Sequence, residues 1–316
     1  MDTGETRREA GWERELLERL AFASLQEQRS RRRWGIFFKV LGFLYLIVLL
    51  VVLSGVAGGP SHSSEKHTAL VDLRGVIDSD GDASAESVVA ALNDAFKGGN
   101  VMGVVLRINS PGGSPVQSSI IYDEIKRLRT KYPEKPLHVV VEDVCASGGY
   151  FVAAAADRIY VNRASIVGSI GVLMNGFGFS GTMEKLGVER RLLTAGDNKG
   201  FLDPFSPQDQ RHLKHAQILL DDIHQQFIEV VRKGRGSRLR ETPEMFSGLM
   251  WTGQQSVALG LVDDFGTVDS VARDVVKAEK VVDYTLRRSL TDRLAQRFGS
   301  AMGSAVANSF TSWKLL

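Results

Sequence analysis

Residues 137–150 read LHVVVEDVCASGGY: an apolar run that halts at Ser147-Gly148-Gly149 and passes into the small-residue stretch Phe151–Asp157. The first half, Leu137–Glu142, has the length and apolarity of a buried strand. The second half predicts a helix over Gly148–Ala156. The same succession recurs on both sides. Upstream, strands are predicted at Ala69–Leu73 with Val76–Ile77 and at Val101–Ile108, with helices at Ser84–Phe96 and Val116–Thr130. Downstream come strands Ile159–Val161 and Val188–Leu193 and a long helix, Pro207–Lys233. Strands alternating with helices imply an α/β fold built from parallel βαβ units. The long helix has Ser206 as a cap, Pro207 at its first position and Gly234 at its exit. Leu213, Ala216, Leu220, Ile223, Phe227 and Val230 form one face of it, a spacing that means core or subunit contact and not a cofactor box.

The chain has 316 residues, 43% of them hydrophobic, which is enough for a core and excludes wholesale disorder. A single cysteine, Cys145, excludes a disulfide framework and a cysteine-rich zinc site, and it reads as a small buried hydrophobe. Basic and acidic residues number 39 and 37, a balance that argues against nucleic acid as a partner. The small surplus lies in residues 1–60, which hold 9 Lys+Arg and 7 Asp+Glu; the remainder holds 30 of each. No charge falls between Lys39 and Glu65, and Arg29, Arg31, Arg32 and Arg33 lie just upstream. That run is long enough for a bilayer, and its basic flank predicts a cytoplasmic N-terminus with the rest exported. The charged region ahead of it is long for a signal peptide, so an uncleaved anchor is expected, with cleavage near Ser54–Ala57 the rival reading. The expected organisation is a charged cytoplasmic leader (1–33), a transmembrane signal anchor in contact with lipid (34–58), a linker (59–67), a folded exported domain (68–283) and a tail (284–316), partly helical or disordered.

Three glycine-rich stations could carry chemistry. Asn109-Ser110-Pro111-Gly112-Gly113-Ser114 follows a strand, and such a turn can aim free N–H groups at an anionic oxygen. As a lone motif it is equally a structural turn. Ala146-Ser147-Gly148-Gly149-Tyr150 places a serine at a helix start; taken alone, Ser147 there is a helix cap before it is a nucleophile. The third is Gly168-Ser169-Ile170-Gly171-Val172, followed by Gly196-Asp197-Asn198-Lys199-Gly200, where an isolated Lys199 would be a solvated residue. The pairs His62/His67 and His212/His215 approach zinc-like spacing but lack a third ligand, so no metal is expected. Asp221-Asp222 and Asp263-Asp264 read as helix and turn surfaces. With no Walker loop or dinucleotide fingerprint, no cofactor is expected.

Taken together, the stations resemble the signal peptide peptidase A family of membrane-anchored serine proteases, peptidase family S49, in its short single-domain form. The correspondence runs from about Ala69 to Ala278 and takes in Lys199 with Pro204-Phe205, then Trp251-Thr252-Gly253 and Leu259-Gly260-Leu261-Val262-Asp263. Gly248-Leu249-Met250 departs from the family's usual residues before that tryptophan. The resemblance implies a Clp-protease/crotonase-like βαβ superhelix behind an N-terminal transmembrane helix. It implies Ser147 as nucleophile, Lys199 as general base, Ser169 as the serine that helps place the lysine amine, and the N–H groups of Gly113 and Gly148 as the oxyanion hole. It further implies apolar signal-peptide substrates degraded at the bacterial inner membrane, a periplasmic catalytic domain and a homo-oligomeric ring, an octamer. A related periplasmic protease acting on other membrane or misfolded proteins, or an inactive scaffold of the same fold, are the alternatives.

Overall fold

The computed structural model describes residues 32–49 and 64–286. Two compact units divide the chain, one of residues 62–288 and one of residues 1–61 with 289–316. In the second unit the described part is helix α1 (residues 32–49), where Phe37, Phe43, Leu44, Tyr45 and Leu46 are each more than half exposed. Four consecutive apolar side chains exposed on one helix mean that no single face is set aside for a core. Among the described residues no helix is long and apolar enough to cross a membrane. The anchor expected over 34–58 continues through residues 50–58, which lie outside the described ones, as do most of the leader and the tail.

The larger unit is an eight-stranded, mostly parallel sheet, as the alternation predicts. Its strands are β1 (His67–Arg74), β2 (Val101–Ser110), β3 (Leu137–Ala146), β4 (Arg158–Val161), β5 (Ile166–Gly168), β6 (Met250–Thr252), β7 (Asp264–Phe265) and β8 (Val281–Asp283). The order is β6-β5-β3-β2-β1-β8, and β4 pairs with β3 and β7. Strand β3 is shared along its length: His138–Val141 pair with β4, while Val144–Ala146 pair with β5. The sheet thereby forks at the end of β3, and the fork leaves the chain after Ala146 beside the end of β5. Only β5 and β6 run antiparallel.

The helices are α2 (Ala85–Lys97), α3 (Pro115–Lys131), α4 (Gly148–Ala153), α5 (Ser180–Lys185), α6 (Gln210–Arg235), α7 (Gly253–Ala258) and α8 (Val268–Ser270). Ser84 and Ser114 cap α2 and α3 by accepting from the amides of Ser87 and Gln117. Helices α2 and α3 bury Leu92, Phe96, Ile121 and Ile125 against Val71, Leu73, Leu106 and Ile108. The other face of the sheet presents Leu70, Val105, Val140 and Tyr160 to Val271 and Val276 of a single π-helical turn, Val271–Val276.

Three local expectations are corrected. Helix α6 starts at Gln210, capped by Asp209, whose carboxylate accepts from the Arg211 amide at 2.7 Å. Ser206 is committed elsewhere, its hydroxyl donating to Asp203 at 2.7 Å. Val188–Leu193 is not a strand: it pairs with no strand among the described residues, and its side chains are exposed. Asp263 is no surface residue. Its carboxylate accepts from Arg235, Arg238 and the Ile159 amide at 2.7–3.0 Å, which ties the C-terminal end of α6 to the sheet.

One buried group makes stability depend on pH. His138 on β3 is 5% exposed, its Nδ1 meets no partner among the described residues, and its ring stands edge-on to Tyr160. Burial holds its pKa below the ordinary value of about 6.5. As pH falls, the unfolded chain therefore binds the proton first. The contribution of this site is complete above about pH 6.5 and is lost below it, by at most about 1.4 kcal/mol per pH unit. Thermal unfolding of His138→Leu between pH 7.5 and 5 is expected to show a shallower acid-side fall than wild type. Equal slopes would remove His138 as a source.

Candidate active site

Parallel strands deliver their C-terminal ends to one edge of the sheet, and the loops there are where α/β folds assemble sites. Four such ends converge here: Gly75–Ile77 after β1, Ser110–Ser114 after β2, Ser147 after β3 and Ser169 after β5.

Ser147 sits between β3 and α4 with φ 51° and ψ −123°, in a region costly for a residue with a side chain. An N-cap needs extended backbone so that its side chain can turn back to the first amides. Ser147 lacks that conformation, and its side chain makes no capping bond. The helix-cap reading is thereby set aside. The sharp turn is held by backbone alone: the Ser147 amide donates to Gly168 O at 2.9 Å, and its carbonyl accepts from Phe151 at 2.9 Å. A strained strand-to-helix turn that frees a serine hydroxyl is the geometry of a nucleophile elbow.

The glycines around it answer to close approach. A Cβ on Gly112 would lie 2.6 Å from Ser147 Cβ, and one on Gly148 would lie 2.5 Å from Ser118 Oγ and 3.2 Å from Gly113 N. The Gly113 and Gly148 amides therefore lie close to one another beside the serine. Ile77 clamps the first of them: its N–H donates to Gly112 O at 2.9 Å, and its carbonyl accepts from Ser114 at 2.7 Å. The Gly112 amide is taken by Ser110 Oγ at 3.1 Å. Neither the Gly113 nor the Gly148 amide meets an acceptor among the described residues. Neighbouring amides without acceptors are the kind of donors that can hold an anionic oxygen.

Helix α4 is anchored from below. The Tyr150 hydroxyl donates to Leu261 O at 2.6 Å, and its burial pushes its pKa up, so it stays a donor. Cys145, two residues before the serine, is fully buried, and burial raises its thiol pKa. It packs as the small hydrophobe expected and offers no thiolate.

Ser169 is half-buried with φ 52°, and its amide donates to Leu249 O at 2.7 Å. It follows Gly168, whose carbonyl holds Ser147, so the two serines are adjacent across the fork. Lys199 is bonded to neither of them among the described residues. It lies in an exposed turn, its amide donating to Gly196 O at 3.1 Å, and its side chain makes no hydrogen bond or ion pair among the described residues. The turn itself is braced. Asp203 accepts from Ser206, Phe205 and Arg190, the Ser206 hydroxyl bond foremost in keeping its carboxyl below the usual range. Phe201 packs against His212 and His215 of α6, at ring separations of 5.3 and 5.7 Å. In the segment before the turn Leu173, Phe177, Leu186 and Leu193 are between 72% and 97% exposed, apolar surface that the described residues leave uncovered.

Sequence reading missed one contact of the site. His224 of α6, which no local pattern distinguishes from its neighbours, donates Nε2–H to Ile170 O at 3.2 Å, one residue beyond Ser169.

Known proteins resemble this chain over the span that carries these residues. The sequence model described as Peptidase family S49 matches residues 129–282, a span that contains Ser147, Ser169 and Lys199. Over 249 residues the chain is 40% identical to the Na(+)/H(+) antiporter NhaA of Brucella abortus, covering 76% of this chain and 33% of that protein. It is 31% identical over 232 residues to a putative protease of Methanocaldococcus jannaschii, covering 70% of this chain and 74% of that one. A putative signal peptide peptidase SppA of Enterococcus faecium is 32% identical over 186 residues, 59% of this chain and 54% of that protein. The chain thus spans about a third of the length of the antiporter and about three quarters of the archaeal protease.

Proposed function

The chain belongs to peptidase family S49 and is a serine peptidase, and from that premise we propose that it is a membrane-anchored endopeptidase that degrades cleaved signal peptides at the bacterial inner membrane. The observation that carries the chemistry is the strained, uncapped Ser147 beside two amides without acceptors. Ser147 Oγ attacks the scissile carbonyl while Lys199 Nζ, in its neutral form, takes the hydroxyl proton. The Gly113 and Gly148 amides hold the tetrahedral oxyanion. The lysine then returns the proton to the leaving amine, and water hydrolyses the acyl-enzyme along the reverse route. Ser169 steadies the lysine amine.

A lysine serves as base only once water is kept from its amine. Lys199 lies in an exposed turn, and the segment before it leaves apolar side chains uncovered by the described residues, which favours a site completed between neighbouring copies in a homo-oligomeric ring, an octamer. The substrate class is supported by the name of the Enterococcus relative and by the uncharged run after Lys39. An anchor over 34–58, with a cytoplasmic N-terminus and a periplasmic catalytic domain, would hold the site where apolar peptides concentrate. The antiporter name does not come across, since most of that protein has no counterpart here.

A serine-directed fluorophosphonate probe tests the reading on the full chain in detergent. Wild type is expected to label, and Ser147→Ala and Lys199→Ala are not. Equal labelling of all three would overturn it. Faster hydrolysis of apolar signal-sequence peptides than of a folded protein would support the substrate class, and the reverse order would reassign it.

A further inference from the structure

We propose that His224 is a positioning residue: its Nε2–H bond to Ile170 O holds the strained backbone that presents Ser169, and so sets the hydrogen-bond partner of the catalytic lysine. The inference rests on the proposed role of Ser169 and extends it to a helix that otherwise touches no reacting group.

Ser169 has φ 52°, and a non-glycine residue stays in that region only where its surroundings over-determine it. Two bonds do so, from opposite sides. The Ser169 amide donates to Leu249 O at 2.7 Å, on the β6 side. The next carbonyl, of Ile170, accepts from His224 at 3.2 Å, on the α6 side. Ile170 is itself fully buried, so with the imidazole in place its carbonyl depends on a protein donor. A carbonyl only accepts, so Nε2 carries the proton in either charge state of the ring. The bond therefore needs a donor at that place and not a charge. His224 is not forced there by packing alone, being half-buried with solvent along one side of the helix. Helix α6 also carries His212 and His215, which pack on Phe201 two residues from Lys199. A single helix thus braces the segments of both Ser169 and Lys199, and its footing is firm: Arg235, at its C-terminal end, is 1% exposed and bonded to Asp263 and to Gly260 O.

Two variants of the full chain separate the donor from the volume it fills. His224→Met keeps a side chain of similar reach without a donor; His224→Gln supplies an amide N–H. With a fluorogenic apolar peptide, His224→Met is expected to lose about tenfold in kcat with KM nearly unchanged, the pattern of a misplaced catalytic group. His224→Gln is expected to stay within about threefold of wild type. Thermal midpoints are measured alongside. A folded His224→Met with wild-type kcat overturns the proposal, and so does a folded His224→Gln as impaired as the Met variant. Should His224→Met not fold, His224→Gln decides alone: near-normal kcat supports the donor role, and a tenfold fall overturns it. Ser169→Ala in the same assay separates this idea from its premise. An unimpaired Ser169→Ala would remove the serine's role, whereas an impaired Ser169→Ala with an unimpaired His224→Met would remove only that of the histidine.

Discussion

Ser147→Ala is expected to lower kcat by on the order of 10⁴–10⁶ while leaving the fold and its thermal midpoint almost unmoved. The two halves of that expectation have one cause. At φ 51° the Ser147 side chain turns away from the first amides of α4, so its hydroxyl caps nothing and its removal exposes no donor. The turn is held by main-chain bonds to Gly168 and from Phe151, which alanine keeps. Alanine also meets the same backbone cost as serine, since both carry one Cβ. A capping serine would behave in the opposite way: its loss would cost about 1 kcal/mol of stability and little activity. Peptide hydrolysis and thermal melting of the same preparation decide between them. A folded Ser147→Ala enzyme with kcat within tenfold of wild type would remove Ser147 as the nucleophile.

Gly113→Ala has the next largest expected effect, a loss of about 10²–10³ in kcat with KM little changed. A Cβ there would lie 2.1 Å from Ile77 O and 2.8 Å from Ile77 N and C, and all three are backbone atoms that cannot swing aside. Either residue 113 or the Ile77 segment must move, and the pair of bonds between Ile77 and the 112–114 turn opens. The amide that would face the oxyanion moves with it. The positive φ of 153° adds strain of its own. Gly99→Ala is the control, because nothing lies within 4 Å of its added methyl and it sits in a surface turn. Equal activity for the two variants would mean that the Gly113 amide takes no part.

The sequence on its own settled what depends on near neighbours along the chain. Val101–Ile108 and Leu137–Glu142 are apolar runs too short for helices, and Ser84 and Ser114-Pro115 mark helix starts, so the βαβ order was legible, as were the glycine turns at 112–113 and 148–149. Local chemistry misled where two groups competed: Ser206 is as good a cap as Asp209 until its hydroxyl is seen bonded to Asp203. Strand pairing is non-local, so Val188–Leu193, with the composition of a strand, stays unpaired, while three-residue β5 forms because β3 runs past β4 and needs a partner. The same distance dependence governs the site. Family resemblance could number Ser147, Ser169 and Lys199, but whether a serine before two glycines caps the helix depends on one backbone angle. Asp263 is a surface acid or a buried anchor according to where the end of α6 falls. His224 carried no signal, because its bond to Ile170 spans 54 residues and exists only once α6 packs beside the strand. Composition and spacing record which groups are available; the angle at Ser147 and the partner of each buried donor arise only when distant segments close on one another.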